Sequence, residues 1–473
     1  MRITLGPFNR VEGDLEVHLD LDSAGEVQDA RVNSPLFRGF ENILIGRAPA
    51  DALAIVPRIC GICSVAQSAA AASALADAMG LTPAPNGVLA RNLIQATENL
   101  ADHLTHFYLF FMPDFARAAY AERSWYPAMA DRFAAVKGSA AEEVLPARAN
   151  FLKMMGFLAG KWPHTLALQP GGSTRAMSAA ERIRILALLR DFRAFLEGRL
   201  LGDRLEAVSA LPSEDALAAW AAGRPGDFPA FLAAAADLGL ETLGQGSGCF
   251  MSYGAYGLFP AGTWCAGTEA SPLDPGRISE DTCHAWLADG DALHPTRGET
   301  LVDAEKPDAY TWCKAPRYGG TALEVGALAR QLVGAQPLLR DLVLRHGGSV
   351  TARVTARMIE LATILPAMES WVRELAPGEP FCTHGPQTDE AEGAGLVEAA
   401  RGSLGHWIAI RRGRIARYQI VAPTTWNFSP RDREGRPGPL EQALVGLPAG
   451  EGAPPLVQHV VRSFDPCMVC TVH

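Results

Sequence analysis

Two Cys-x-x-Cys pairs stand at opposite ends of this chain, Cys60 and Cys63 within RICGIC and Cys467 and Cys470 within DPCMVC. Two intervening residues let both sulfurs of a pair point the same way from a tight turn, and each thiolate is a soft ligand for zinc, nickel, copper(I) or iron. About four hundred residues separate the pairs, whereas a zinc ribbon keeps its pairs about 15 to 20 residues apart. A metal shared by all four would have to be buried between the first and last parts of a large fold. That favours an active-site metal over a structural clip. Spacing alone still leaves other readings open: a redox dithiol, two separate and partly formed zinc sites, or buried apolar thiols.

With 473 residues, 48% of them hydrophobic and 20% charged, the chain has the material for a large core, expected as intimately packed subregions of one unit. The expected subregions are 1–50, 51–375 with the first cysteine pair, and 376–473 with the second. Formal net charge is -10 with no run of Lys or Arg, which argues against direct binding of nucleic acid or an anionic membrane. The start, MRITLGPFNRVEGD, carries charge where a signal peptide needs an apolar centre, and no stretch has the length and apolarity of a membrane span. A cytoplasmic location is therefore expected. Cys249, Cys265, Cys283, Cys313 and Cys382 are scattered without pairing motifs, which predicts reduced thiols.

Apolar and polar residues alternate in LEVHLDLDSAGEVQDARV on both sides of a Ser-Ala-Gly turn, predicting a hairpin. Helices dominate afterwards: Ala- and Leu-rich stretches near 63–80, 88–112, 179–210, 228–238 and 322–345 carry apolar residues at helical spacing. Residues 413–422 read as a strand, 440–447 as a short helix, and the Gly-, Pro- and acid-rich segment 376–395 as loop. The fold class is mainly α with small β elements (α+β).

The segments RVEGDLEV, FRGFE, RICGICS, DHLTHFY, GKWPHTLALQPGGST, YTWCKAPRYGG, ARGSLGHW, YQIVAPTTWNFSPRD and SFDPCMVCTVH follow one another here as similar segments do in the large subunit of nickel-iron hydrogenases. The chain resembles that family over nearly its whole length. A related scaffold, the quinone-site subunit of respiratory complex I, lacks the four cysteines. The resemblance implies the large-subunit fold, with a buried metal site between the terminal cysteine motifs. Cys60 and Cys467 would be terminal nickel ligands, and Cys63 and Cys470 would bridge nickel to an iron carrying carbon monoxide and two cyanides. H2 would be split heterolytically, with the proton on the Cys467 sulfur and then on Glu12. A carboxyl buried beside thiolates has its pKa moved toward neutrality, as a proton shuttle requires.

By the same matching, Arg401 would overhang the open metal position, held by Asp102 and Asp465, since a buried Arg needs carboxylate partners. Ala400 stands where the family usually has Pro. Pro423 and Thr424 match residues that contact the cyanides. Glu41, the carbonyl of Ile420 and the terminal His473 match ligands of Mg2+ or a similar ion, a hard cation that prefers oxygen. His103, His106 and His164 also match family positions, with core or supporting roles expected for each. The resemblance further implies an iron-sulfur small subunit holding all the clusters, because no further cysteine group here could hold one.

Three departures point to the regulatory, H2-sensing branch of the family. Gln67 replaces the usual His, while Ile62 and Phe110 are bulkier than the usual Val and Leu flanking the inner end of the gas channel. A narrower neck would slow O2 more than H2, which predicts oxygen tolerance. This reading adds a histidine kinase as partner and slow turnover. The chain also ends at CTVH, as expected of a sensor made without the C-terminal extension that maturation proteins remove from most relatives. The alternative is a catalytic uptake hydrogenase. Whether two heterodimers associate stays open.

Overall fold

The computed structural model describes residues 1–386, 388–450 and 455–471. Strands β1 (Arg2–Leu5), β2 (Glu16–Leu21) and β3 (Val27–Asn33) form an antiparallel sheet in that order. β2 and β3 are the predicted hairpin, with Leu19 facing Ala30 across the register. Val17, Leu19 and Leu21 all point into the core. The turn is closed by Asp22, whose carboxylate accepts from the N–H groups of Ala24 at 2.8 Å and Glu26 at 3.0 Å.

Helix α1 (Ser64–Ala78) starts directly after Cys63, and α2 (Pro85–Thr105) begins with Pro in its first turn. The end of the predicted helix at 88–112 widens into a π turn, His106–Phe111. The stretch 179–210 likewise passes from the helix Ala179–Phe195 through a π turn, Leu196–Leu201, into the short helix Leu205–Ser209. Asp227–Leu238 and Pro439–Leu444 match expectation closely. The single helix expected at 322–345 is instead two, α3 (Ala327–Val333) and Pro337–His346, because Gly334 and the residue before Pro337 both resist helical continuation. Periodicity does not reveal α4 (Val350–Glu374), since Pro366 and the buried Arg353, Arg357 and Glu360 interrupt its apolar pattern. The helix Ala140–Leu158, with Pro146 inside it, is hidden for a similar reason. Among the described residues no helix is long and apolar enough to cross a membrane.

One expectation about the cysteines is overturned. Strands β4 (Cys249–Ala255) and β5 (Phe259–Cys265) pair antiparallel with Cys249 directly opposite Cys265, and the two form a disulfide. Sheet register brings the pair together, which no spacing motif announces.

A second three-stranded sheet is β6 (Ala391–Ala399), β7 (Gly402–Arg411) and β8 (Arg414–Val421), with β7 in the middle. β8 is the predicted strand. β6 begins inside 376–395, so that segment is not all loop. Its glycines, which read as turn signals, are there because α1 lies flush on the strand. A Cβ on Gly395 would stand 1.9 Å from the Ala70 carbonyl oxygen, and one on Gly393 would stand 2.3 Å from that of Ala74. The small residues of α1 permit the same approach from the other side. One apolar cluster joins the N-terminal sheet, α1, α2, α4 and β6–β8, and all four motif cysteines lie within it.

Gly395→Ala is expected to push α1 off β6 and to destabilise the protein by about 1 to 3 kcal/mol. Thermal melting checks this; an unchanged melting temperature would mean that the helix does not press on the strand.

Candidate metal centre

Cys60 ends the short turn Val56–Ile59 in an extended conformation, and Cys63 stands immediately before α1 without a capping bond from its side chain. Cys467 and Cys470 flank a single turn near the other end of the chain. The four sulfurs lie within 4.8 Å of one another. Cys60 and Cys467 approach to 3.5 Å, Cys63 and Cys470 to 3.1 Å, and Cys467 and Cys470 to 3.0 Å, with no disulfide among them. All are buried. Hydrogen bonds from Cys467, Cys470 and Cys63 hold the Cys60 thiol well below its usual pKa, whereas hydrogen bonding to Cys467 and burial push Cys63 well above it. A single buried pocket cannot keep four thiolates ionised unless a cation balances them, so this donor set fits a soft metal centre.

Both ends of the chain build the pocket. Residue 12 runs parallel to residue 467: Glu12 N–H donates to the Pro466 carbonyl at 3.4 Å, and Met468 N–H donates to the Glu12 carbonyl at 2.7 Å. Glu12 is thereby held beside Cys467. Burial and then the charge of Cys60 raise its carboxyl pKa, opposed by Arg401 and Arg38. Arg38 is a residue that sequence reasoning missed, although it sits in FRGFE. Its guanidinium donates to the carbonyls of Ile59 and Val469, tying the loop of one cysteine pair to the loop of the other.

Arg401 is buried with Asp102 and Asp465 as expected. Its Nη1 lies 2.7 Å from Asp102 Oδ2 as a close ion contact. Its Nη2 donates to Asp102 Oδ1 at 3.2 Å and to Asp465 Oδ1 at 3.0 Å, and its Nε donates to the Asp465 carbonyl at 3.0 Å. Burial opposes the Arg401 charge, but Asp102 and Asp465 outweigh it and hold the guanidinium protonated. Burial also pushes Asp102 up to about 7, with Arg401 pulling the other way.

Thr424 lies in the short helix Pro423–Asn427, and its hydroxyl accepts from Cys467 N–H at 3.2 Å. Gln67, one turn into α1, points its Nε2 at Cys470 Sγ at 4.0 Å. The amide is oriented by His406, whose Nε2 lies 2.9 Å from Gln67 Oε1 and whose Nδ1 lies 2.8 Å from the Tyr418 hydroxyl. His406 is a second omission of the sequence reading. Its signal was GHW within a quoted segment. Glu98 is a third: fully buried on α2, it accepts from the N–H groups of Val65 at 2.9 Å and Ala66 at 3.0 Å and from Trp162 Nε1 at 2.8 Å. It thus caps the helix that carries Cys63. Burial raises it to about 8 despite those donors.

Glu41 is buried and accepts from Ile420 N–H at 2.8 Å and from Lys314 Nζ at 3.1 Å. Lys314 also reaches Gln419 at 2.7 Å and Glu280 at 3.5 Å. Burial lifts Glu280 to about 7 in spite of Lys314. The Lys314 ammonium thus sits between the Glu41 and Glu280 carboxylates, while Glu41 and Ile420, two of the expected oxygen ligands, lie side by side. His473 lies outside the described residues. Ile62 and Phe110 are both half-buried, and the Phe110 carbonyl accepts from Arg10 Nη1 at 3.1 Å. His103 Nε2 lies 2.6 Å from Glu360, His106 Nε2 lies 2.7 Å from the Arg462 carbonyl, and His164 Nδ1 lies 2.9 Å from the Pro57 carbonyl. All three engage supporting groups.

Comparison with known proteins gives one consistent result. Residues 38–144 and 142–473 match the nickel-dependent hydrogenase family, and residues 2–34 match a HoxL-like family. The chain is 30% identical to the periplasmic [NiFeSe] hydrogenase large subunit of Desulfomicrobium baculatum, over 100% of this chain and 95% of that one. It is 27% identical to the uptake hydrogenase large subunit of Bradyrhizobium diazoefficiens, again over 100% of this chain and 95% of the relative. The reduced Ni-Fe-Se hydrogenase of D. vulgaris Hildenborough superposes with a TM-score of 0.86 at 30% identity, covering 100% of both chains.

Cys467→Ser is expected to lose stable nickel binding, because a hydroxyl oxygen is a poor substitute for a soft thiolate. Metal analysis of the purified protein checks this; full nickel content would mean that the sulfurs do not form one site.

Proposed function

The chain belongs to the nickel-dependent hydrogenase family, and we propose that it is an H2-cleaving large subunit whose role is to sense H2. The convergence of four buried sulfurs with Glu12 and Arg401 carries this reading. The cysteine quartet would hold the nickel-iron centre. When bound, that centre supplies the electron-rich site at which H2 is polarised and its electron pair taken up.

In this reading Cys60 and Cys467 would ligate the nickel, and Cys63 and Cys470 would ligate both the nickel and an iron that would carry carbon monoxide and two cyanides. Pro423 and Thr424 would face those diatomic ligands. The Thr424 hydroxyl oxygen is already used by Cys467 N–H, so its own proton is the group left to donate to a cyanide nitrogen. The Cys467 sulfur would hold the proton released from H2, and Glu12, fixed alongside by the backbone bridge, would receive it. The raised pKa of Glu12 moves it toward the range in which a carboxyl both accepts and releases a proton. Asp102 and Asp465 hold the Arg401 guanidinium in place, so that a preorganised positive charge faces the reaction. Glu41, the Ile420 carbonyl and His473 would hold Mg2+ or a similar ion, and electrons would leave to an iron-sulfur small subunit.

Sensing is supported by Gln67, Ile62 and Phe110. An amide at residue 67 cannot titrate as an imidazole does, and it lies against the bridging Cys470. In this reading a histidine kinase receives the signal, the two bulky residues narrow the gas path, and the protein works in the cytoplasm. A second reading, an uptake enzyme, is favoured by the names of the relatives, one of them periplasmic, and by the Cys249–Cys265 disulfide, which belongs to an oxidising compartment. H2 oxidation by the purified heterodimer with and without O2 separates the two: slow, oxygen-insensitive turnover supports the sensor, and fast turnover supports the uptake enzyme.

Glu12→Gln is expected to keep nickel but to slow proton exchange from D2 by about 100-fold or more, since an amide does not take up and release a proton. Exchange at the parent rate with full metal content would exclude Glu12 as the relay.

A further inference from the structure

Arg330, fully buried on α3, links the two segments that carry Arg401 and Asp102. Its Nε and Nη2 donate to the two oxygens of Glu360, each at 2.7 Å, and its Nη1 donates to Glu398 Oε2 at 2.7 Å. Two further bonds go to main-chain carbonyls: Nη1 to Ala399 at 2.8 Å and Nη2 to Ala400 at 3.2 Å. Those carbonyls belong to the two residues immediately before Arg401. Glu360, on α4, lies 2.6 Å from His103 Nε2, and His103 is the neighbour of Asp102 on α2.

Glu398 is fixed from its other side. Its Oε1 accepts from Ser403 Oγ at 2.6 Å and from Tyr253 N–H at 2.7 Å. Its carbonyl accepts from Gln95 at 2.7 Å and Asn99 at 3.2 Å, both on α2. Burial would raise Glu360, but Arg330 outweighs it and holds the carboxyl down to about 2. One ionic cluster therefore spans α2, α3, α4 and the end of β6.

We propose that Arg330 is a positioning residue: its guanidinium, clamped by Glu360 and Glu398, fixes the Ala399 and Ala400 carbonyls and so sets where Arg401 stands relative to Asp102 and the four sulfurs. The inference rests on Arg401 being the polarising group. The need for the clamp is local. Ala400 leaves its backbone more conformational freedom than a proline would, and nothing in its own side chain restrains the next residue. A planar fork of five N–H donors holds two carboxylates and two carbonyls at once; a lysine ammonium keeps the charge but not that geometry.

The test uses the nickel-loaded heterodimer. Arg330→Lys is expected to keep nickel and stay folded with a lowered melting temperature, because buried acceptors lose their donors, while amide hydrogen exchange at 399–402 speeds about tenfold or more at a temperature where both proteins are folded. H2 turnover should fall about tenfold or more, with KM little changed, because the displaced group acts in the reaction and not in substrate binding. Ala399 lies in extended strand, which tolerates a following proline, so adding Ala400→Pro should restore both exchange protection and turnover. Parent-level protection at 399–402 in Arg330→Lys overturns the proposal, as does turnover that Ala400→Pro fails to recover. Should Arg330→Lys lose nickel, Glu360→Gln provides the same exchange measurement, and unchanged protection there overturns the proposal equally. Arg401→Lys runs alongside: full turnover in that variant would remove the polarising role of Arg401, while exchange at 399–402 would still decide whether Arg330 holds the segment.

Discussion

Four thiolate-forming side chains have to meet in the core although they come from the two ends of the chain, and the architecture answers that constraint. The N-terminal segment lies against the C-terminal one, so that Glu12 and Cys467 share backbone hydrogen bonds. Arg38 bonds to both cysteine loops. The helix that presents Cys63 is pressed onto β6 where two glycines leave no side chain, and its first N–H groups are capped by a buried Glu98. A pocket assembled this way is fixed by long-range packing, so the positions of the sulfurs depend on the whole fold being formed.

Around the sulfurs the interior is dense with charge. Arg401 shares Asp102 and Asp465, Arg330 shares Glu360 and Glu398, and Arg353 pairs with Glu324, all of them buried. Such pairs contribute little net stability, because removing each ion from water costs about as much as the attraction returns. Their value here is geometric. Each guanidinium satisfies several acceptors in fixed directions, which holds α2, α4 and the β6–β7 turn in one arrangement around Arg401.

Much of the site was legible in the sequence. Cys-x-x-Cys spacing and soft-ligand chemistry announced a metal, and segment order identified the family. Glu12, Asp102, Arg401, Asp465 and Thr424 were found by matching, and the structure brings them to the cysteines. Arg38, Glu98, His406, Arg330 and Lys314 were passed over, because each acts through a partner far away in sequence and looks locally like any other polar residue. β6 was partly hidden for the same reason: Gly393 and Gly395 read as a loop until α1 is seen lying on them.

The sequence by itself determined the ligand chemistry, the predominance of helix, the N-terminal hairpin and the class of reaction, because residue type, local periodicity and motif spacing encode these within a short window. Tertiary structure alone decided which polar residues are buried together, that Cys249 and Cys265 pair through sheet register, where the predicted helix at 322–345 breaks, and how Arg401 is held. Burial and pairing between distant segments are properties of the packed chain, and it is desolvation in that packed interior that shifts carboxylates such as Glu12, Glu98 and Asp102 from their ordinary range.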